Sequence, residues 1–331
     1  MTATTTEPAA EGAAVAQVRW ARLVQRQGAL VILVALMVIA SVAFDSFATV
    51  GNLHALAVQA SFIAVMALGM TFVIMTGGID LSVGSLFALG GVLAAWGAQH
   101  SPVLGLVLPL AVCGAIGLVQ GLVIARGGLP PFIVTLAGLL FGRGLLLFLT
   151  TEGASTYKVP DGSAFSQLAQ GRLLGIELSV WLVVVLFVLG AVVLHRTVYG
   201  TAVLAIGGQE DAAALMGVAV ARVKVLTYLL SGLCAGLAGA MIASYTSSGV
   251  TVIGVGTELV VISAVVLGGT LLSGGAGTIA GTLVGVLLLQ VVINVINQVG
   301  SLQSSWQDVV TGVILLVVVT LQRYLARIER R

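Results

Sequence analysis

A lone carboxylate stands between two apolar runs in the first third of the chain. It belongs to Asp80, which follows a glycine pair, Gly77 and Gly78, and precedes Ser82. An ionisable side chain left unpaired at membrane depth costs about 3 kcal/mol or more, so Asp80 is a candidate for direct contact with a solute. Its oxygens would equally cap a helix that begins here, by accepting from the amide of Ser82 or Val83. Both roles stay open, and Gly77, Gly78, Asp80 and Ser82 are candidates for lining a translocation path.

A second glycine-rich break occurs near the other end of the chain. Residues 268–275 repeat a glycine pair, a leucine, a serine and a further glycine at the spacing found in residues 77–84. Inverted repeats in many transporters place such breaks on opposite sides of the membrane. The order of the apolar runs predicts that these two lie on the same side, so the similarity is not that of an inverted repeat.

A polar segment between two long apolar runs has the pattern of a very short helix. A glycine pair predicts a turn into it, two carboxylates stand in its first turn, where the helix dipole favours anions, and Gly217 would end it. We expect Ala213, Leu215 and Met216 at its surface, which suits insertion into a groove on another protein. The alternative is a helix lying on the membrane surface. The candidate coupling residues are Gly207, Gly208, Gln209, Glu210, Asp211, Ala212, Ala213 and Gly217.

Three carboxamides share one face of a late apolar run. Gln290, Asn294 and Asn297 are spaced at i, i+4 and i+7, which aligns them along a helix. Carboxamides both donate and accept hydrogen bonds, so they suit a hydroxylated solute in a translocation path. They would equally form hydrogen bonds between helices. Arg143, the one cation away from the ends of a predicted span, would reach the membrane surface or pair internally, with Asp80 as a candidate partner.

Chemistry on the chain itself has little support. The complete sequence contains no G-x-x-x-x-G-K-[ST], HExxH or GxSxG motif. His54, His100 and His195 fall in predicted loops, so a buried proton relay is missing. Cys113 and Cys234 stand in apolar runs without CxxC spacing. We therefore predict no catalytic residue, metal or cofactor on this chain, and an energy source on a partner.

The elements that position these residues follow from composition. Apolar residues make up 59% of the 331 residues and charged ones 8%, and the mean hydropathy is +1.17. A water-soluble fold needs a more polar surface, so the solvent is lipid and the fold is an all-α polytopic membrane protein. A net charge of +2 argues against nucleic-acid binding. The predicted spans number about ten, at residues 28–44, 55–76, 82–99, 103–125, 132–150, 174–194, 223–245, 258–273, 276–297 and 306–323.

Small residues recur as ridges along two of these spans. Such ridges let helix backbones approach closely where lipid supplies no hydrophobic driving force. We expect them to mark helix contacts. The ridges are Gly114, Gly117 and Gly121, and Gly232, Gly236 and Gly239.

The distribution of Lys and Arg predicts the orientation. Cytoplasmic loops carry the positive excess, and eleven of the fourteen cations fall on one side if the N-terminus is cytoplasmic. We then expect a cytoplasmic tail at 1–27 with an uncleaved first span, a transmembrane domain at 28–323 with a cytoplasmic coupling loop at 195–222, and a basic cytoplasmic tail at 324–331. The outer connection, residues 151–173, would form an ordered external cap.

Three motifs in the same order resemble the ribose, xylose and galactoside permeases of bacterial ABC importers. They are residues 76–85, 205–213 and 266–270, and the similarity runs from about 52 to 306. The family loop more often reads Gly-Gly-Asn-Glu-Glu-Ala-Ala, so Gln209 and Asp211 are mild departures. Branched-chain amino-acid permeases are similar in style but usually lack the Gly-Gly-Ile-Asp-Leu-Ser wording.

The resemblance implies the ABC importer permease fold and a subunit that carries a monosaccharide or related polyol into the cytoplasm by alternating access. Its partners would be an ATPase subunit that binds ATP and Mg, a second permease copy or paralogue, an extracytoplasmic sugar-binding protein and the lipid of a bacterial inner membrane. By the same resemblance, Glu210, Asp211, Ala212 and Ala213 would belong to the helix that docks on the ATPase.

Three alternatives stay open. An ABC permease of this kind would also suit another small polar solute, such as an amino acid or nucleoside. An ion-coupled secondary transporter is disfavoured because a buried ionisable relay is missing. A membrane enzyme acting on lipid-linked sugar lacks an acid–base or metal constellation.

Overall fold

The computed structural model describes residues 28–300 and 305–328. The predicted tail 1–27, and residues 329–331 of the second predicted tail, lie outside the described residues. Within the described ranges the regular secondary structure is helical apart from one short antiparallel hairpin and an isolated bridge, in agreement with the all-α prediction. The elements are α1 Gly28–Ala43, α2 Val50–Met75, α3 Val83–Ala98, α4 Pro102–Gly127, α5 Pro131–Leu149, α6 Gln167–Gln170, β1 Arg172–Leu173, β2 Ile176–Glu177, α7 Leu178–Arg196, α8 Val198–Gly208, α9 Glu210–Leu215, α10 Val220–Thr246, α11 Thr257–Leu267, α12 Ile279–Val299 and α13 Ser305–Ile328.

Each of the ten predicted spans corresponds to one helix. In the described part of the chain, six helices are long and apolar enough to cross a bilayer alone, namely α2, α4, α5, α7, α10 and α12. The other four predicted spans correspond to α1, α3, α11 and α13, whose apolar parts are shorter. The polytopic architecture is therefore confirmed.

Several helix boundaries differ from the prediction by a few residues, and three differences matter for the site. Helix α11 ends at Leu267, well before the predicted end of its span, because Gly268 and the positive-φ Gly269 stop it. Helix α13 continues to Ile328, since nothing in residues 324–328 breaks a helix. The predicted coupling loop contains an additional apolar helix, α8.

Hydroxyl side chains begin four of the helices. Each is extended at the N-cap and accepts a hydrogen bond from the amide three residues on, which satisfies a donor that the helix leaves free. Glycines in the left-handed conformation end α4 and α12. The four capping residues are Thr49, Ser101, Thr197 and Thr278.

The core lies around α2 and α10. Most of α2 is buried, and α10 packs against α4, α3 and α2. The ridge of α4 faces Gly232 and Gly236 of α10, whereas Gly239 faces α3. A Cβ on Gly236 would lie 2.6 Å from the carbonyl oxygen of Pro109, and one on Gly114 would lie 2.8 Å from Leu233. The expected helix contacts are confirmed at these ridges.

Residues 151–177 form an ordered cap over one end of the bundle. The cap contains α6 and the β1–β2 hairpin, in which Arg172 pairs with Glu177. It is joined to the end of α10 by backbone hydrogen bonds, from Val159 to Ser247 at 2.9 Å and from Gly249 to Tyr157 at 2.8 Å. The predicted cap is therefore fastened to the residues that follow α10.

Candidate functional site

Helices α3 and α11 are shorter than a full membrane span, and we call them the half-helices. The 16 residues of α3 span roughly 24 Å and the 11 residues of α11 roughly 17 Å at 1.5 Å per residue. The hydrocarbon core is about 30 Å thick, so neither crosses it alone. Each follows a long helix and a non-helical stretch. We call residues 76–82, between α2 and α3, the first break, and residues 247–256, between α10 and α11, the second break.

The two helix pairs run in opposite directions. Helix α2 is antiparallel to α10, because Phe62 contacts Tyr245 near one end and Gly69 lies against Ser231 further along. The chain turns back at each break, so α3 runs parallel to α10 and α11 runs towards the C-terminal end of α2. A long helix, a break and a half-helix thus occur twice, in inverted orientation.

This arrangement corrects the alignment made from the sequence. Residues 268–275 share the wording of residues 77–84, but they follow the half-helix α11 and do not precede it. The structural counterpart of the first break is the second break. The long helix, break and half-helix do form an inverted pair, but the shared glycine motif did not identify it.

The second break runs back beside α3 as non-helical backbone. A Cβ on Gly249 would lie 2.9 Å from the Cα of Val92, whereas Gly254 contacts Gly84 and the Cβ of Ala88. Eight helical residues separate Val92 from Gly84, which is about 12 Å along the axis. Irregular backbone at such depth is tolerated only where protein buries it or where it lines a polar path.

The N-termini of α3 and α11 meet where the two breaks end. A Cβ on Gly84 would overlap Oε2 of Glu258, and would lie 2.5 Å from the Gly254 carbonyl oxygen and 3.2 Å from the Glu258 amide nitrogen. Each helix start carries a partial positive charge, which favours the nearby carboxylates. Glu258, predicted only to begin its span, therefore stands at the junction of both half-helices.

Asp80 seals the first break and is fully buried. Its Oδ1 accepts hydrogen bonds from the Ser82 amide at 2.9 Å and the Ser82 hydroxyl at 2.6 Å, and its Oδ2 accepts from Ser231 of α10 at 2.6 Å. The bond from the Ser82 amide is one that the sequence predicted, but Ser82 is itself the N-cap of α3, so Asp80 stands two residues before the cap. Asp80 makes no ion pair with Arg143, so that suggested partnership is wrong. Contact of Asp80 with a solute stays a prediction.

Two further polar groups border this cluster. The Gln120 carboxamide lies 3.2 Å from the Ser82 hydroxyl through Oε1, and a Cβ on Gly78 would overlap the Tyr228 hydroxyl. Within the described residues, Gln120 Nε2 and Tyr228 Oη are buried without a hydrogen-bond partner. Sequence reasoning missed both residues. A polar residue inside an apolar run was the available signal for Gln120.

Arg143 holds the second break. From α5 its Nη1 donates to the carbonyl oxygen of Thr251 at 2.8 Å and lies 3.4 Å from that of Ile253. The guanidinium thus satisfies carbonyl groups that a helix would have paired internally. Internal pairing was predicted for Arg143, and the structure places its partners on the backbone of the second break.

The three predicted carboxamides of α12 form hydrogen bonds between helices. Gln290 donates to Gln59 of α2 at 3.1 Å, and Asn294 donates to Asn52 of α2 at 2.8 Å. Asn297 accepts from a glutamine of α13 at 2.6 Å. These bonds fit the second of the two roles predicted from the sequence. A role in a translocation path stays a prediction.

The candidate coupling segment consists of two short helices. Gly207 and Gly208 are the last residues of α8, and the extended residue Gln209 makes the turn. The glycine pair was expected to form that turn, but Gly207 instead permits a close approach of backbones, because a Cβ there would overlap the Met75 carbonyl. Helix α9 begins at Glu210 and is followed by the positive-φ Gly217, as predicted.

Helix α9 exposes an apolar tip. Leu215 and Met216 are 89% and 86% exposed. Ala213 was expected at the surface but is buried, because its face of the helix packs inward. Leu215 is the last residue of α9 and Met216 follows it, so the two form an exposed apolar pair. Contact of this pair with another protein or with the membrane surface stays a prediction.

Polar contacts attach this segment to α10. Lys224 Nζ lies 2.6 and 2.7 Å from the two carboxylate oxygens of Glu210, and Tyr199 of α8 is 2.9 Å from the Thr227 hydroxyl. Burial raises the pKa of the Tyr199 hydroxyl to about 12. The phenol therefore stays protonated at physiological pH, and this hydrogen bond does not titrate away.

Comparison with known proteins decides the family. The family model described as branched-chain amino acid transport system / permease component matches residues 52–319. This range includes both breaks, both half-helices and the coupling segment. The chain belongs to this permease family. It is a multi-pass membrane permease.

Curated relatives cover nearly the whole chain. The ribose import permease protein RbsC of Escherichia coli K12 is 39% identical over 88% of this chain and 92% of its own length. RbsC of Bacillus subtilis 168 is 40% identical over 91% and 94%. The L-arabinose ABC transporter permease protein AraH of Azospirillum brasilense is 38% identical over 94% and 91%. No solved structure matches the chain significantly.

Proposed function

We propose that this chain is the membrane-spanning subunit of an ATP-driven ABC importer that carries a pentose or a similar monosaccharide into the cytoplasm. The observation that carries the proposal is the near full-length similarity to permeases named for ribose and L-arabinose. ATP and Mg would bind a separate ATPase subunit, because the sequence lacks a phosphate-binding motif. A second permease and an extracytoplasmic sugar-binding protein complete the proposed importer.

The proposed path passes the meeting point of the two half-helices. Transporters commonly bind solute where discontinuous helices end near the middle of the membrane. Here the ends of α3 and α11 gather Asp80, Glu258 and the non-helical backbone that Arg143 holds. Hydroxyl, carboxylate and carbonyl groups there offer the hydrogen bonds that a polyol needs. The predicted path residues Gly77, Gly78 and Ser82 would shape this point from the first break.

The proposed docking surface is the tip of α9. Leu215 and Met216 would insert into a groove of the ATPase, as exposed apolar anchors do at interfaces. Arg196, Arg222 and Lys224 lie near this end of the bundle, which fits a cytoplasmic position. Both termini would then be cytoplasmic, in a bacterial inner membrane.

The function is tested by uptake into vesicles. We expect proteoliposomes that contain the complete importer to accumulate radiolabelled ribose or arabinose when ATP is inside, and not with a non-hydrolysable analogue. Uptake by this chain alone under an ion gradient would contradict the proposal and support a secondary transporter. The family description names branched-chain amino acids, so leucine is the matched second solute. Preferential leucine uptake would replace the sugar assignment with that of an amino-acid permease.

Docking is tested by a matched pair of leucine variants. Leu215 of α9 is 89% exposed and Leu174 of the cap hairpin is 85% exposed. We expect Leu215→Asp to reduce co-purification with the ATPase about tenfold or more, because the anchor side chain would be charged. Leu174→Asp changes a residue at the other end of the bundle and should leave it unchanged. Equal co-purification of both variants would refute docking through α9.

A further inference from the structure

Three distant chain segments touch through bare backbone beside the coupling segment. The first is the end of α2 at Met75 and Gly77, the second is the end of α8 at Gly207, and the third is the connection after α11 at Gly274 and Gly275. We call these five residues the glycine junction. The glycine pairs at 77–78 and 207–208 and the glycine-rich residues 268–275 were noticed in the sequence as separate features, and the structure brings these three segments together.

The contacts in the glycine junction leave no room for side chains. A Cβ on Gly207 would overlap the carbonyl oxygen of Met75 and the amide nitrogen of Gly275. One on Gly274 would lie 2.8 Å from the Gly77 nitrogen and 3.1 Å from the Gly207 Cα. The Gly275 amide also donates to the Met75 carbonyl at 3.0 Å. Backbone packed on backbone cannot yield by changing a rotamer, so these segments move together or separate.

Each segment of the junction leads to an element of the proposed transport mechanism. Helix α9 begins at Glu210, shortly after Gly207. Gly77 lies near the start of the first break, which leads into α3, and Gly274 lies in the connection that follows α11. The proposed docking helix and both half-helices are therefore connected through the packed backbone of the glycine junction.

We propose that the glycine junction transmits movement of the docked ATPase to both half-helices at once. This inference rests on the proposed docking of α9. A displacement of α9 would carry the end of α8 with it, and the junction would pass the displacement to the first break and to the C-terminal end of α11. Gly207 is then a positioning residue, which acts through α3 and α11 and does not touch the solute.

Two helical glycines with opposite surroundings provide a matched test. No described atom lies within 4 Å of a Cβ on Gly51 of α2, whereas Gly207 is enclosed by backbone. In the complete importer, we expect Gly207→Ala to lower sugar taken up per ATP hydrolysed about tenfold, while ATPase co-purification stays normal. Gly51→Ala should keep the wild-type ratio. Equal ratios for the two variants would overturn the inference.

Hydrogen exchange on the unmodified complex covers the case in which Gly207→Ala fails to reach the membrane. We expect the amide of Gly275 to stay equally protected in nucleotide-free and ATP-bound complexes, because its bond to Met75 persists when the junction moves as one body. Loss of protection on ATP binding would show that the segments separate and would overturn the inference. Failure of the wild-type complex to bind its ATPase or take up sugar would instead refute the proposed function.

Discussion

The two breaks occupy equivalent places in an inverted pair, yet they are stabilised in opposite ways. In the first break the side chain of Asp80 is fully buried and organises the backbone and its neighbours. In the second break the backbone itself is held, by Arg143 from α5 and by the cap. Val252 and Val255 of the second break are 76% and 75% exposed. One break is enclosed in the core, and the other lies at the surface of the chain.

The difference indicates which break can move. Removing a buried hydrogen-bonded carboxylate leaves several donors unsatisfied, so the first break has one stable arrangement. The second break depends on a few backbone hydrogen bonds at the edge of the fold, which open at lower free energy. We expect the second break to be the mobile member of the pair.

The largest loss of stability should come from disrupting the first break, which is enclosed in the core. Asp80→Ala would leave the Ser82 and Ser231 donors buried without an acceptor, so we expect a loss of about 3 kcal/mol or more in stability. The measurement is the thermal unfolding midpoint in detergent. Asp80→Asn keeps an oxygen acceptor and should lose less stability than Asp80→Ala. A wild-type midpoint for Asp80→Ala would show that the first break is not sealed by this side chain.

An intermediate effect is expected where the two breaks meet. Gly84→Ala would force a methyl group against Glu258 and Gly254, at a cost of about 2 kcal/mol. No described atom lies within 4 Å of a Cβ on Gly144, so Gly144→Ala is the matched control. If the second break is the one that yields, hydrogen exchange should rise there and not in the first break. If hydrogen exchange rose only in the first break, the first break and not the second would be the mobile one.

A smaller effect should follow from releasing the second break. Arg143→Ala removes the donor to the carbonyl of Thr251, so we expect about 1 kcal/mol of lost stability and faster exchange in the second break alone. Arg143→Lys retains a donor, so it should lose less stability and show a smaller increase in hydrogen exchange. Unchanged exchange in the second break would mean that Arg143 does not hold it.

The smallest effect is expected at the exposed surface of the second break. Val252→Ser should change stability by no more than about 0.5 kcal/mol. Val83, the first residue of α3, is fully buried, and Val83→Ser should cost about 2 kcal/mol. Both are read from unfolding midpoints. Comparable losses in the two variants would show that Val252 is buried by a partner in the detergent-solubilised protein.

Much of the helical layout could be predicted because it depends on local composition. Helix α3 was expected at 82–99 and runs from Val83 to Ala98. The bond from the Ser82 amide to Asp80 was also accessible, since a carboxylate reaches only its near neighbours along the chain. Residues 249–256 were left between two predicted spans, but their return beside α3 was not predicted, because they contain only glycine, threonine and aliphatic residues, without charge or proline.

Contacts between distant segments could not be predicted from one sequence. The meeting of Gly84 with Glu258 depends on how two breaks fold back, and no periodicity within either segment reports it. The carboxamide face of α12 was visible, but its partners Gln59 and Asn52 lie on α2, so the choice between hydrogen bonding and solute contact needed the packed structure. Patterns indicate which face of a helix has partners, and they do not name the partners.

The cap has a mechanical consequence. Its strand-like bridge between Lys158 and Ser248, with the flanking backbone hydrogen bonds, joins it to the chain just where the second break starts. A load applied to the cap from outside would pull on non-helical backbone first, before any long helix has to tilt. An antibody fragment bound to the cap should accordingly change the rate of uptake, because its effect would reach the second break through these backbone hydrogen bonds.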